Sequence, residues 1–213
     1  MRYLSPVEEL VRKPRASQET LERGRQRRLM IVDAATELFA SSGYRGTGLS
    51  TIAAQVGVTQ AGLLHHFGTK ENLLEAVVRH RSEQDAALIA EIIGDGGLGM
   101  LDRLPRLAEH NAKRAGLSQL FTVLVAENLL PEHPAHDFFV DRYRHWRATV
   151  RSALAQGVQR GEIRDDVDLD ACAARIVAAL DGLQSQWLLD PKEVHLVKAY
   201  KELSAALRRE LAT

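Results

Sequence analysis

The sequence predicts an all-α fold of about nine helices, with a three-helix head at the N-terminus and a body of five or six helices behind it. Three observations predict it. From Met100 to the C-terminus the apolar residues recur only at helical spacing, with no run of strand-like alternation. The periodic stretches are separated by breakers at Gly43, Gly57, Gly94–Gly99, Gly161 and Pro191, which stop helices through backbone freedom or a missing N–H. The stretch from Ser50 to Phe67 has the spacing of two short helices joined by a tight turn.

In chain order, residues 1–24 show little periodicity and hold Pro6, Pro14 and Gly24, the composition of a flexible arm with a short helical turn around Pro6–Val11. From Arg12 to Arg28 there are seven basic residues (Arg12, Lys13, Arg15, Arg23, Arg25, Arg27, Arg28) against Glu19 and Glu22. Such a segment either follows phosphates and reaches into a minor groove, or is a solvated tail. The first firm helix is expected from about Arg25 to Ser41. Leu29, Val32, Leu38 and Phe39 form its stripe, and Tyr44 packs back on the head after Gly43. A second helix is expected over Gly48–Gln55, with Ile52, Ala53 and Val56 on one face. Small Ala53 allows a close crossing, and Gly57 stands where a left-handed residue ends the helix. Thr59 then caps a third helix over Gln60–Phe67, whose Leu63 and Phe67 share a face. These are the requirements of a helix-turn-helix, in which the second helix enters the major groove of DNA and the first crosses the backbone. The plainer alternative is an αα-hairpin that only packs.

Thr69 caps a fourth helix, carried by Leu73, Leu74, Val77 and Val78 to about Ile93 and long enough to join head to body. The glycine-rich run Gly94–Gly99 is expected to be a flexible joint. It has no G-K-[ST] and no preceding strand, so it is not a nucleotide loop. Helices over about Met100–Ala115, Ser118–Leu130, Ala135–Arg160, Asp168–Leu189 and Lys192–Leu211 complete the body.

Composition narrows the function classes. A hydrophobic share of 45% supplies a core, and the single cysteine, Cys172, excludes an intramolecular disulfide, as suits a reducing cytoplasm. No apolar run approaches the roughly 20 residues of a membrane helix, and no signal-peptide pattern opens the chain, so a soluble, cytoplasmic protein with no membrane partner is expected. The net charge of zero is unevenly spread. Residues 1–70 carry 10 Lys and Arg against 6 Asp and Glu, and residues 71–213 carry 18 against 22. A basic third that coincides with a helix-turn-helix fits a nucleic-acid partner.

Three spaced blocks sharpen this reading: A-x-x-L-F-x-x-x-G-Y at Ala35–Tyr44, T-x-x-x-x-I-A-x-x-x-G-V at Thr47–Val58, and H-F-x-x-K-E-x-L at His66–Leu73. The span Ile31–Val77 resembles the DNA-binding domain of the tetracycline repressor (TetR) family of transcriptional regulators. Looser likeness extends through Leu120–Glu127, His133–Phe139 and Asp181–Asp190. With the basic arm over 1–24 read from composition, the resemblance implies a DNA-binding domain over 25–68 and a ligand-binding and dimerisation body over 69–213. It also implies a homodimer on a double-stranded operator, a small-molecule effector, and no cofactor or enzymatic activity.

On the third helix, Gln60, Ala61, Leu64 and His65 face away from Leu63 and Phe67 and are the expected DNA-facing set. Gln60 can bond an adenine twice, while Ala61 or Leu64 can meet a thymine methyl. Many relatives carry a phosphate-reaching Tyr where this chain has Leu64. Thr47 and Thr59 stand at helix N-termini suited to phosphates, and Lys70 stands where the family places a phosphate-contacting lysine. His66 is expected against the first helix. In the body, Glu127 and Asn128 interrupt an apolar run, and a buried carboxylate requires a partner, either an internal Arg or a ligand. With Phe121, Trp146, Gln184 and Trp187 they form the expected ligand-binding set. Ile176, Val177, Leu180, Leu183, Trp187, Leu196, Tyr200, Leu203 and Leu207 are the expected dimer interface, with Gly182 allowing close approach. No catalytic set assembles from His110, His133, His136 and His145. His133, His136 and Asp137 lack the further ligands that a metal centre requires, so no metal is expected.

Overall fold

The computed structural model describes residues 18–133 and 135–213, with side chains from Thr20 onward. The described residues form nine α-helices and no strand: α1 (Gln18–Ser42), α2 (Leu49–Gln55), α3 (Gln60–Phe67), α4 (Lys70–Ile93), α5 (Gly97–Lys113), α6 (Ala115–Glu127), α7 (His136–Gln159), α8 (Leu169–Leu189) and α9 (Leu196–Leu211). An isolated antiparallel bridge between Ile163 and Ala212 ties the end of the chain to the α7–α8 turn.

The termini follow from local chemistry. Gly43, Gly57 and Gly161 hold φ of +76°, +69° and +71° just past helix ends, where a side chain would be strained. Thr59 Oγ1 accepts from the Gly62 N–H at 3.0 Å, Thr69 Oγ1 from Asn72 at 3.1 Å, and Asp168 Oδ1 from Asp170 and Ala171 at 3.0 Å each. Each satisfies N–H groups that a first turn leaves unpaired.

Several expected boundaries move. α1 begins at Gln18 rather than near Arg25, so residues 18–24 are helix and not arm. Gln, Glu, Leu and Arg are good helix formers, Glu22 pairs with Arg25 at 2.9 Å, and one Gly24 costs a helix only about 1 kcal/mol. Arg12, Lys13, Arg15 and the expected turn at Pro6–Val11 lie outside the described residues. α6 starts at Ala115 and ends at Glu127, which leaves Leu129 and Leu130 exposed in the following loop.

The glycine run is not a flexible joint. Gly96 and Gly97 are buried with φ of +71° and +63°. A Cβ on Gly96 would stand 2.6 Å from the Ala153 carbonyl oxygen, and one on Gly157 would stand 2.7 Å from Gly97 Cα. The run is a close-packed corner where α4 turns into α5 against α7, and only glycine permits that approach.

Two apolar clusters organise the molecule. One gathers Ile31, Ala35 and Phe39 of α1, Ile52 and Ala53 of α2, and Leu63 and Phe67 of α3. Leu73, Leu74, Val77 and Val78 of α4 and Leu117, Leu120, Phe121 and Leu124 of α6 belong to the same cluster. The other joins α5, α7, α8 and α9 and includes Ile92 at the far end of α4. The helix α4 thus starts in the core of the head and finishes in the core of the body. Twenty-four residues at 1.5 Å each make it a rod of about 36 Å.

Candidate nucleic-acid interface and body cavity

The geometry of α3 is set by its buried side. Leu63 is fully buried and Phe67 nearly so, and they anchor the helix in the head core. Gln60, Ala61 and His65 are consequently exposed, and Leu64 is half-buried at the edge of the same surface. The turn before α3 is fixed by Val58 N–H donating to the Ala53 carbonyl at 2.9 Å. Arg27, Thr59, Gly62, His65 and His66 border a shallow recess of about 450 Å³ beside this face. His66 sits towards α1, and burial, followed by the charges of His65, Arg28 and Arg27, holds its imidazole below the ordinary histidine range.

Three of the expected phosphate groups are occupied inside the protein. Thr47 is buried, and its hydroxyl donates to the Gly43 carbonyl at 2.8 Å, with the Leu38 carbonyl 3.2 Å away. The residue at the N-cap of α2 is Gly48, so Thr47 ties the α1–α2 turn together instead of presenting a hydroxyl. Lys70 is half-buried. Its Nζ donates to the Tyr44 carbonyl at 2.7 Å and lies 4.4 Å from the centre of the Tyr44 ring. Burial beside Glu71 pushes the Tyr44 phenol up to about 12, so it remains a neutral hydrogen-bond donor to that carboxylate. Arg28, the last residue of the basic segment weighed for phosphate contact, donates to the His66 carbonyl at 3.0 Å and stacks 4.3 Å over Phe67. It closes the C-terminal end of α3.

In the body, a cavity of about 1000 Å³ opens between α4, α5, α7 and α8, with Phe121 of α6 and Tyr200 of α9 also in its wall. Of the expected ligand set, Phe121, Trp146 and Gln184 line it. Glu127, Asn128 and Trp187 do not. Glu127 is half-buried rather than buried, and it pairs at 3.2 Å with Arg45, an exposed residue of the head, at the surface. Asn128 donates to the Leu124 carbonyl at 2.7 Å and accepts from the Ala135 N–H at 3.1 Å, which closes the end of α6. Trp187 packs against the body cluster. His133 Nδ1 meets the Glu127 carbonyl and His136 Nδ1 meets the Asn128 carbonyl at 3.0 Å, so both histidines serve the same helix end.

Gln184 apart, the cavity's polar groups were not identified from sequence. Arg81 Nε donates to Asp85 Oδ2 at 3.0 Å, Arg142 Nη1 donates to Ser82 Oγ at 2.9 Å, and Asn111 Nδ2 donates to Gln184 Oε1 at 2.7 Å. Tyr143 Oη donates to Asp181 at 2.6 Å. The surrounding walls push the Asp181 carboxyl up, against the lowering pull of Tyr143 and Arg142. A signal was present: Arg81 continues the stripe Leu74–Val77–Val78, and Arg142 continues Phe138–Phe139, so each places a charge where the helix is otherwise buried.

The expected interface residues divide by burial. Ile176, Val177, Leu180, Leu196, Tyr200 and Leu207 are all buried within a single chain. They form the body core, and Tyr200 Oη donates to the Leu180 carbonyl at 3.0 Å. An intrachain core and a subunit face show the same periodicity, which is why sequence did not separate them. Leu183, Trp187 and Leu203 are half-buried.

A helix-turn-helix head on a helical body with an internal cavity defines a DNA-binding regulator with a ligand chamber. Residues 31–77 match the bacterial regulatory proteins of the tetR family, and residues 108–212 match the C-terminal domain of BetI-type transcriptional repressors. The chain is 31% identical over 166 residues to the HTH-type transcriptional repressor AcnR of Corynebacterium diphtheriae, covering 75% of this chain and 80% of that one. Its fold matches a transcriptional-regulator structure from Saccharomonospora viridis in complex with choline (TM-score 0.73, 23% identity, 89% of this chain and 99% of that chain). It also matches the regulator FadR of Bacillus subtilis in complex with stearoyl-CoA (TM-score 0.73, 21% identity, 84% and 96%). The chain belongs to the TetR family of bacterial transcriptional regulators, which bind DNA and are not enzymes. No helix among the described residues is long and apolar enough to cross a membrane.

Proposed function

We propose that the protein is a cytoplasmic repressor that binds an inverted-repeat operator as a homodimer and leaves it when a small molecule enters the body cavity. The observation that carries this reading is the course of α4. Its first turns are packed under α3 through Leu73, Leu74, Val77 and Val78. Its later turns line the cavity through Arg81, Asp85, Ile89 and Ile93. A tilt forced at the cavity is transmitted by a rod to the recognition helix. The ligand must bind the DNA-incompetent form more tightly, since equal affinity for both forms shifts nothing.

Gln60, Ala61 and His65, with Leu64 at the edge, are the base-reading set, and the cap at Thr59 together with Arg27 offers phosphate contacts. Homodimerisation is supported by the outward side of α8 and α9. There Ala174 and Ala178 are exposed, Gly182 has open space where a Cβ would stand, Leu189 is 85% exposed, and Ala206 of α9 is exposed. Two-fold pairing of such faces places two recognition helices on one side of the duplex and requires operator symmetry.

Selection of bound duplexes from a random library, combined with sedimentation, tests the reading. An inverted repeat and a dimer at micromolar concentration are expected, with Gly182→Arg giving a monomer of reduced affinity. A monomer that selects one unrepeated half-site would refute it.

A further inference from the structure

The folds that match this one hold ligands of opposite chemistry, so the ligand class has to be taken from this chain's own cavity. We propose that the cavity takes an amphipathic anion, an apolar body carrying a carboxylate or phosphate group, with the anionic group held between Arg81 and Arg142.

The inference rests on the effector reading above and on three features of the cavity wall. Arg81 is 6% exposed, and its Nη1 has no hydrogen-bond partner among the described residues. A buried guanidinium N–H without a partner is costly, and a ligand oxygen removes that cost. Its other contacts leave it under-neutralised. Asp85 accepts from Arg81 Nε but also serves His110 at 2.9 Å and Arg114 at 3.4 Å, and Asn111 lies 3.5 Å from Nη2. Arg142 supplies a second guanidinium that donates to the neutral Ser82. Asp85 and Asp181 attract it from the same cavity wall, with Asp85 already shared with Arg81, His110 and Arg114 and Asp181 already accepting from Tyr143. Both guanidiniums approach the ring of Phe121, with Cζ atoms 4.6 and 5.4 Å from its centre. The pair repels itself, and desolvation holds both groups below the usual guanidinium range. Two guanidiniums beside one ring on a cavity wall supply the planar donors that recognise a carboxylate or phosphate.

From this end the cavity runs along α4 towards Ile89, Ile93 and Trp146. Arg81 and Ile93 are twelve residues apart, about 18 Å on a helix. That length and an apolar far wall suit an extended hydrophobic body. The acidic residues at the mouth, Glu75, Glu83, Asp137 and Asp141, are exposed, where water and salt screen them.

The test uses the full-length protein without DNA, so that ligand class is measured independently of operator release. Trp187→Phe leaves Trp146, which lines the cavity, as the sole tryptophan reporter. Decanoate, 2-naphthoate, decyl phosphate, decanol and decyltrimethylammonium are titrated below their micelle thresholds. Saturable binding of an anion at least tenfold tighter than of decanol or the quaternary ammonium is expected. Decanoate against decyl phosphate then distinguishes a carboxylate from a phosphate head. Arg81→Gln and Arg142→Gln should each weaken anion binding at least tenfold and leave decanol unchanged, with Arg142→Lys retaining part of the affinity. Should Arg81→Gln not fold, the Arg142 pair of variants decides alone. Binding of none of the three anions, or equal binding of the quaternary ammonium, or unchanged anion affinity in the Gln variants, overturns the assignment. If anions bind but the protein–operator complex survives saturation, the ligand class stands and the release mechanism falls.

Discussion

Arg28 separates two accounts of the basic residues that precede the recognition helix. If it contacts a phosphate, Arg28→Ala removes one counterion-releasing contact, and the slope of log affinity against log salt falls by about 0.9. The geometry assigns it instead to the end of α3, where it donates to the His66 carbonyl at 3.0 Å and stacks 4.3 Å over Phe67. A solvent-exposed cation over an aromatic ring contributes about 0.5–1 kcal/mol. A cation at a helix C-terminus contributes about 0.3–1 kcal/mol at a surface site. The loss is then about 1.5 kcal/mol, largely from the head. In a chain of this size about 1 kcal/mol corresponds to roughly 2–4 °C, so the melting temperature should fall by about 3–6 °C. Calorimetry and a salt series of operator titrations on the same variant decide the matter. A lower melting temperature with an unchanged slope is expected, and an unchanged melting temperature with a reduced slope would refute the capping role. Arg28→Lys keeps the charge but loses the planar stack, and should recover only part of the loss.

Further outcomes follow from other parts of the molecule. Gln60→Ala should cost about 1–3 kcal/mol at the operator and relax preference at one base pair, read by competition between single-base operator variants. Gly157→Ala places a methyl 2.7 Å from Gly97 Cα and should destabilise the body by about 1–3 kcal/mol in urea, since backbone cannot give way as a side chain can. His66 is held below its ordinary range in the folded chain, so the folded form binds fewer protons than the unfolded form near pH 6. Its contribution is therefore present above the unfolded value and shrinks as pH falls through about 6.5 towards the folded value. His66→Gln should flatten that part of the stability–pH curve.

The order and type of the helices, and which side of α3 is exposed, were legible in the sequence because they rest on local chemistry. Thr59 caps, Gly57 permits a left-handed turn, and Leu63 with Phe67 selects which side of α3 is buried; all act within a few residues. Only the tertiary structure decided what each long-range polar or apolar group meets. Thr47, Lys70 and Arg28 had the composition of phosphate contacts, yet their nearest acceptors are the Gly43, Tyr44 and His66 carbonyls. Which partner Glu127 meets depended on Arg45 arriving from the head. The apolar stripes of α8 and α9 have one periodicity for a core and for an interface, and Ile176, Leu180, Leu196, Tyr200 and Leu207 belong to the core. Arg81 and Arg142 stood out along the chain only as charges on buried stripes. Their meeting at Phe121 brings together α4, α6 and α7, because helical spacing fixes a residue's side of its own helix but not what lies across the gap.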